Sequence, residues 1–223
     1  MFLLGHSCWS YIISRGSGEK LNVRLPVYLA LLAGVLPDFD IYFKPVIEHH
    51  TYTHSLLVLL PLSILLTYKF KRLGGAFSLG ILSHLLTDSL VGTIPIFYPA
   101  STVTVGLSLG LPSPADTILE VGALAIAMAY ALRNGDYEFF RGPHEESMMM
   151  SITLVSIVTL TLLFAGDNNI PLATFAFSRR ALTAISLGHV VLVLTLGLGT
   201  IQGIRSYLSK QSSAGPPSVN KAL

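Results

Sequence analysis

The twenty residues Leu36 to Ser55, LPDFDIYFKPVIEHHTYTHS, hold two aspartates (Asp38, Asp40), one glutamate (Glu48) and three histidines (His49, His50, His54) in a chain that is otherwise mostly apolar. Carboxylates and imidazoles are costly beside a bilayer unless something binds them, so this density points to a metal or a proton. An extended backbone would turn Asp38 and Asp40 to one side and Phe39 to the other, bringing two oxygen donors together. His50 and His54 are four residues apart, as are His84 and Asp88; on a helix each pair shares a face at a spacing suited to metal capture. The second pair is the sharper signal, because it interrupts the apolar run ILSHLLTDSL. Each signal has a plainer counterpart: solvated aspartates at a helix end, or a His–Asp hydrogen bond that only fastens two helices. Asp88 could also orient a histidine from behind without touching metal.

Other residues carry less. His6 alone reads as a satisfied structural histidine, and gains meaning only beside the later ligands. His189 lies mid-span and reads as a helix contact, while His144 sits with Glu145 and Glu146 in a polar loop. Glu48 is either a base or a surface carboxylate. Asp116 and Glu120, four apart, are second-tier candidates, Asp116 also suiting the negative first turn of a helix.

The elements that must position these groups are set by composition. The chain has 223 residues, 52% hydrophobic and 12% charged, with a mean hydropathy of +0.65, whereas soluble domains carry about 25% charged residues. An integral membrane protein follows. A net charge of +2 on scattered Lys and Arg gives no support to a nucleic-acid partner. The single Cys8 excludes an internal disulfide and a thiolate site, leaving nitrogen and oxygen ligands and favouring zinc, manganese or another divalent ion. No basic residues precede the first apolar run, and His6 interrupts it, so a cleaved signal peptide is not expected.

Read in order, 3–14 is a short apolar segment and 15–24 a polar connector; 26–36 is a second short run, ended by Pro37. At about 1.5 Å per residue each covers only part of a ~30 Å hydrocarbon core, so they read as short, partly inserted helices. A helix capped by Thr53 or Ser55 runs to about Phe70, and a Gly74-Gly75 turn leads into a second, 75–91. Residues 92–116 read as a loop. Ser113, Pro114 and Asp116 start a helix reaching about Arg133. A polar loop, 134–147, and two apolar runs, 148–165 and 181–204, complete an all-α membrane bundle of about five long helices. One membrane domain is expected over 1–208 and a disordered polar tail over 209–223.

Lys and Arg fix the orientation. With Lys69, Lys71 and Arg72 in the cytoplasm, that side receives eleven of the fourteen, adding Arg15, Lys20, Arg24, Arg133, Arg141, Arg205, Lys210 and Lys221. Lys44, Arg179 and Arg180 fall on the other side, and so do His6, Asp38, Asp40, His49, His54, His84 and Asp88.

The succession of His6, LPDFD, HHTYTHS, HLLTD and IPIFYP resembles the YdjM-type membrane-bound metal-dependent hydrolases, a family described as LexA-binding and inner-membrane-associated. The resemblance spans about residues 1–120. That family writes the central motif His-Arg-x-x-Thr-His-Ser, and here His50 takes the arginine position. A more distant likeness to the α-helical zinc phospholipase C and nuclease group implies phosphoester hydrolysis at a multi-metal centre.

The expectation is a multi-pass protein of a prokaryotic inner membrane that hydrolyses a phosphoester or lipid-type substrate, a membrane lipid or lipid-linked molecule, at the non-cytoplasmic interface. Its metal ligands are His6, Asp38, Asp40, His49, His54, His84 and Asp88, holding one to three zinc ions. Asp40 or Asp88 takes the water's proton, and His50, Glu48 and Asp116 contact substrate. The rival expectations are a metal or proton transporter, and a non-catalytic membrane regulator with a structural metal.

Overall fold

The computed structural model describes residues 1–44, 46–111, 113–167 and 180–213. Those residues are helical throughout, apart from connecting loops and one isolated bridge between Ile94 and Val105. The helices are α1 (Leu3–Lys20), α2 (Val27–Ala33), α3 (Leu56–Val91), α4 (Pro114–Asn134), α5 (Glu138–Arg141), α6 (Met150–Asp167) and α7 (Arg180–Ser213), with short 3-10 turns at Pro37–Phe43, Tyr52–His54 and Glu145–Met149. Among the described residues, three segments are long and apolar enough to cross a membrane: Pro114–Asn134, Glu146–Leu163 and Leu182–Ser212. Their outward side chains, Ile118, Val155, Leu187 and Leu194 among them, are large, apolar and exposed, as lipid-facing positions are.

Helix α1 is the axle of the bundle and packs against α2, α3, α4, α6 and α7. It does not end at residue 14 but continues to Lys20, because Arg15 is not solvated. Arg15 is buried and paired with Asp136, which is fully buried just beyond α4 and also accepts from the Tyr11 hydroxyl (2.7 Å) and from Arg24 (2.9 Å). The other end of α1 is capped from α4. The Glu120 carboxylate accepts the backbone N–H of Phe2 and of Gly5, each at 2.5 Å, satisfying two of the donors that a helix start leaves open.

Helix α3 is a hairpin of two arms, as the sequence suggests, but the turn falls at Lys71 (φ 53°, ψ −129°). Ser55 caps its start, accepting from Leu57 N at 3.1 Å. The arms run back along each other, with Ser78 Oγ donating to Ser63 O at 3.2 Å. Gly74 is not the turn but the point of closest approach, where a Cβ would collide with the Leu66 carbonyl. Ser113 caps α4, accepting from Asp116 N at 3.1 Å, and Gly135 ends it in the left-handed region (φ 73°). Residues 209–213 belong to α7 and not to the tail, whose remainder, like Asn168, Asn169 and Arg179, lies outside the described residues.

The second arm of α3 thus has the basic tip at one end and His84 with Asp88 near the other. At about 1.5 Å per residue the two are roughly 25 Å apart.

Candidate metal centre

Four elements bring the ligand-type side chains together. Helix α1 supplies His6 from its first turns, the 3-10 turn Pro37–Phe43 supplies Asp38 and Asp40, the turn Tyr52–His54 supplies His54, and α3 supplies His84 and Asp88. All six are buried. A tight 3-10 turn, and not an extended strand, carries the two aspartates, and they separate: Asp38 points into the cluster and Asp40 supports it from outside.

The histidines are oriented through Nδ1. His84 Nδ1 donates to the Gly34 carbonyl at 2.6 Å. The Thr87 hydroxyl gives its own proton to His84 O (3.0 Å), so it can only accept from His6 Nδ1 at 2.9 Å. The Thr53 hydroxyl gives its proton to Asp40 Oδ2 (2.5 Å) and accepts from His54 Nδ1 at 3.0 Å. His49 Nδ1 donates to Asp40 Oδ1 at 2.8 Å. Each imidazole, when neutral, therefore spends its proton on an oxygen behind it and keeps a bare Nε2.

Two of those bare nitrogens, on His54 and His84, stand 2.9 Å apart. Asp38 Oδ1 lies 3.3 and 3.5 Å from them, and Asp88 Oδ2 lies 3.5 and 3.2 Å from them. With the imidazoles neutral, four acceptors converge with no proton between them, and Asp88 Oδ2 has no hydrogen-bond partner among the described residues. Donors held at about 2.0 Å around a tetrahedral cation sit about 3.3 Å from one another. The observed separations fit a divalent cation in a two-nitrogen, two-oxygen set, the donor chemistry that suits zinc.

A second set adjoins the first. Asp88 Oδ1 faces His6 Nε2 at 3.1 Å and accepts from the Met1 amino nitrogen at 3.0 Å, and the His6 and His84 rings stack with centroids 3.8 Å apart. Asp88 thus turns one oxygen to each set, as a bridging carboxylate does. His49, His50 and His54 offer a third grouping towards the surface.

The electrostatics call for a positive charge. Burial disfavours the imidazolium of His54, yet hydrogen bonds to Asp38 and Asp40, with the charges of Asp38 and Asp88 behind them, raise its pKa to about 9. Burial pulls Asp38 and Asp40 upward, but His84 and His54 hold the first, and His49, His54 and Thr53 the second, well below the usual carboxylate range.

The remaining candidates fall outside the converging set. Asp40 is a supporting carboxylate, both of its oxygens being taken by His49 and Thr53. His50 lies at the exposed edge of the cluster, its outer mouth, with φ 63°, its ring 3.9 Å from that of His49 and its Nε2 3.8 Å from Asp88 Oδ2. Partial burial, with His54 and His49 beside it, pushes its pKa down to about 3, so near pH 7 it does not supply an arginine's charge. Glu48 is exposed. Asp116 is fully buried with neither carboxylate oxygen hydrogen-bonded among the described residues, and Glu120 is the cap of α1. His189 is structural: it accepts from Leu4 N (3.2 Å) and donates to Ile185 O (3.0 Å). It stands nearer the centre than its mid-span position suggests, bordering with Asp38 a cavity of about 20 Å³. His144 is exposed beside Phe139.

Sequence reasoning reads Thr53 only as a possible helix cap, a role Ser55 fills, and passes over Thr87 and the Gly34 carbonyl. The two threonines had a signal, a hydroxyl immediately before His54 and another immediately before Asp88; Gly34 had none, because a carbonyl is silent in a sequence.

A family model described as YdjM inner membrane protein matches residues 1–170. The match runs past residue 120, through α4 and through α6. No curated protein and no solved structure matches the chain.

Proposed function

The chain belongs to the YdjM inner membrane protein family, and from that premise we propose that it is a membrane-bound metal-dependent hydrolase, acting on a phosphoester or lipid-type substrate at the non-cytoplasmic face. The observation that carries this reading is the meeting of His54 Nε2, His84 Nε2, Asp38 Oδ1 and Asp88 Oδ2 at cation-ligand separations. A divalent cation bound there supplies Lewis acidity and a water acidified towards neutral pH.

The chain's own groups do the rest. Asp38, His54, His84 and Asp88 would hold the cation, and Asp88 with His6 would provide for a second. Asp40, Thr53, Thr87 and the Gly34 carbonyl fix the imidazole orientations. The role of base passes from Asp40 to the histidine it orients: His49 gives its Nδ1 proton to Asp40 and keeps Nε2 to accept a proton from water. Its side chain is 16% exposed, a position between the buried ligands and the open mouth. His50 lines that mouth as a neutral hydrogen-bonding group.

A transport reading has less behind it. The polar stripe Ser7, Ser10 and Ser14 on α1 leads away from the centre, but it is closed by contact, since a Cβ on Gly80 would collide with Ser10 and Ser14.

The test is the metal content of the purified protein and its turnover of phosphoester probes, compared with His54→Ala and His84→Ala. Both variants are expected to lose bound zinc and hydrolysis while staying folded. Full activity in both would sink the assignment, and zinc flux into proteoliposomes without hydrolysis would favour transport.

A further inference from the structure

Between Asp88 and Asp116 the chain has no Asp, Glu, Lys, Arg or His. Within that stretch, residues 103–111 read VTVGLSLGL, with Val or Leu at every odd position and a small or hydroxyl residue at every even one. Such alternation belongs to an extended segment with one apolar edge. Val105 bridges to Ile94, and Ser108 (φ 52°) and Gly110 (φ 86°) then turn the backbone through the left-handed region, yet the apolar side chains stay bare: Val103 is 70% and Leu107 68% exposed, with Val105, Leu109 and Leu111 also exposed.

The ribbon is held by its backbone, which leaves those side chains unused. Leu107 N donates to Ser89 O at 2.7 Å, Gly110 N to Val91 O at 2.9 Å, and Val105 exchanges hydrogen bonds with Ile94 at 2.9 and 3.1 Å. The anchor points sit directly after Asp88. The first half of the same loop is fastened to the other side of the centre, with Leu56 N donating to Ile96 O at 2.8 Å and Ser55 Oγ to Tyr98 O at 2.5 Å, next to His54. One loop therefore ties an apolar edge to two ligand-bearing elements.

An uncharged, exposed apolar edge of this length calls for a partner, and its continuity with the bundle says which. Three residues after Leu111 the chain enters the membrane-spanning α4 at Pro114, whose Ile118 is 72% exposed on the lipid side. Water-facing loops elsewhere in the chain, such as 134–147, carry both signs of charge. We infer that Val103, Val105, Leu107, Leu109 and Leu111 insert into the interfacial region of the adjacent leaflet and hold the mouth of the metal centre at the lipid surface. Resting on the hydrolase reading, this makes the substrate a molecule with an acyl or isoprenoid tail that reaches the centre from the membrane and not from water.

Insertion is measured without turnover. Spin labels at Leu107→Cys and Leu109→Cys, in a Cys8→Ala background reconstituted in phosphatidylcholine–phosphatidylglycerol bilayers, are expected to be reached by oxygen and shielded from a water-soluble nickel chelate. A label at Glu48→Cys is expected to show the reverse. Nickel access at 107 and 109 equal to that at 48, or shielding from both reagents as in a protein contact, overturns the insertion. The double variant Leu107→Glu/Leu109→Glu should turn over a long-chain phosphoester in vesicles at least tenfold more slowly, with a short-chain soluble phosphoester unchanged. Equal loss on both substrates overturns the delivery role. Should no phosphoester be turned over at all, the hydrolase reading fails while the depth measurement still decides the insertion.

Discussion

His54 Nε2 and His84 Nε2 face each other at 2.9 Å, and while both rings are neutral the hydrogen bonds behind them leave neither nitrogen a proton to donate. Two acceptors at that distance repel unless something positive lies between them, and the carboxylates of Asp38 and Asp88 sharpen the demand. On the reading proposed above the arrangement would frame a cation, built by three parts of the chain that lie far apart in sequence.

Asp88 is the group both donor sets share, with Oδ1 turned to His6 and Oδ2 to His54 and His84. Asp88→Asn keeps the shape and replaces one acceptor oxygen with an amide donor. It should therefore lower metal content more than His6→Ala, which touches one set only. Elemental analysis of the two purified variants checks this, and equal or reversed losses would show that Asp88 is not shared.

The hydroxyls of Thr53 and Thr87 touch no converging atom, yet they hold the Nδ1 protons of His54 and His6. Supporting partners of this kind are worth about 10–100-fold in metal affinity. Thr53→Val and Thr87→Val should each weaken zinc binding by about that factor in competition with a chelator, with Thr→Ser restoring most of it. A purely packing role would spare affinity in the Val variants, since volume is preserved.

How much of this is legible in the sequence depends on whether a residue acts alone or through a partner. His84 and Asp88 stand out because charge inside ILSHLLTDSL needs an explanation, and the hairpin arms of α3, the Ser113 cap and the three spanning runs follow from periodicity and turn chemistry. The division of labour between Asp38 and Asp40 does not, because a 3-10 turn and an extended strand present the same Asp-x-Asp letters differently. The length of α1 was hidden for a similar reason. Arg15 reads as the start of a solvated connector until Asp136, far along the chain, is seen to neutralise it.

Metal-free protein should show a distinctive pH profile. His54 has a folded-state pKa of about 9 against 6.5 when unfolded, so the stability it contributes is fully present below pH 6.5 and is lost as pH rises through 9. Asp38 and Asp40 are shifted downward from 3.8, so their contribution is present above about pH 4 and is lost on acidification. The thermal midpoint of the metal-free protein is expected to peak near pH 6.5 and to fall towards pH 9; it falls on acidification too, because the unfolded chain protonates His50 below 6.5 while the fold holds that group neutral down to about 3. Zinc-loaded protein should lack the alkaline fall, because the cation takes the proton's place. A flat alkaline limb in the metal-free protein would mean that His54 is not held as its partners indicate.

The last prediction concerns the opposite end of the bundle, where no chemistry is assigned. Asp136 is fully buried and receives Arg15, Arg24 and the Tyr11 hydroxyl, so it is the one anion answering a buried guanidinium. Removing one partner of such a pair strands the other charge, at a cost of about 3–5 kcal/mol. Asp136→Ala should therefore lower the unfolding midpoint sharply. Arg24→Ala should do little, because Arg24 is 62% exposed and recovers its hydration. The double variant Arg15→Met/Asp136→Leu removes both buried charges and should recover much of the loss, whereas equal instability in the single and double variants would show that packing, not charge, fastens α1 to α4. Zinc content at a permissive temperature should be unchanged in all three, since the network holds the axle's far end and touches none of the ligands.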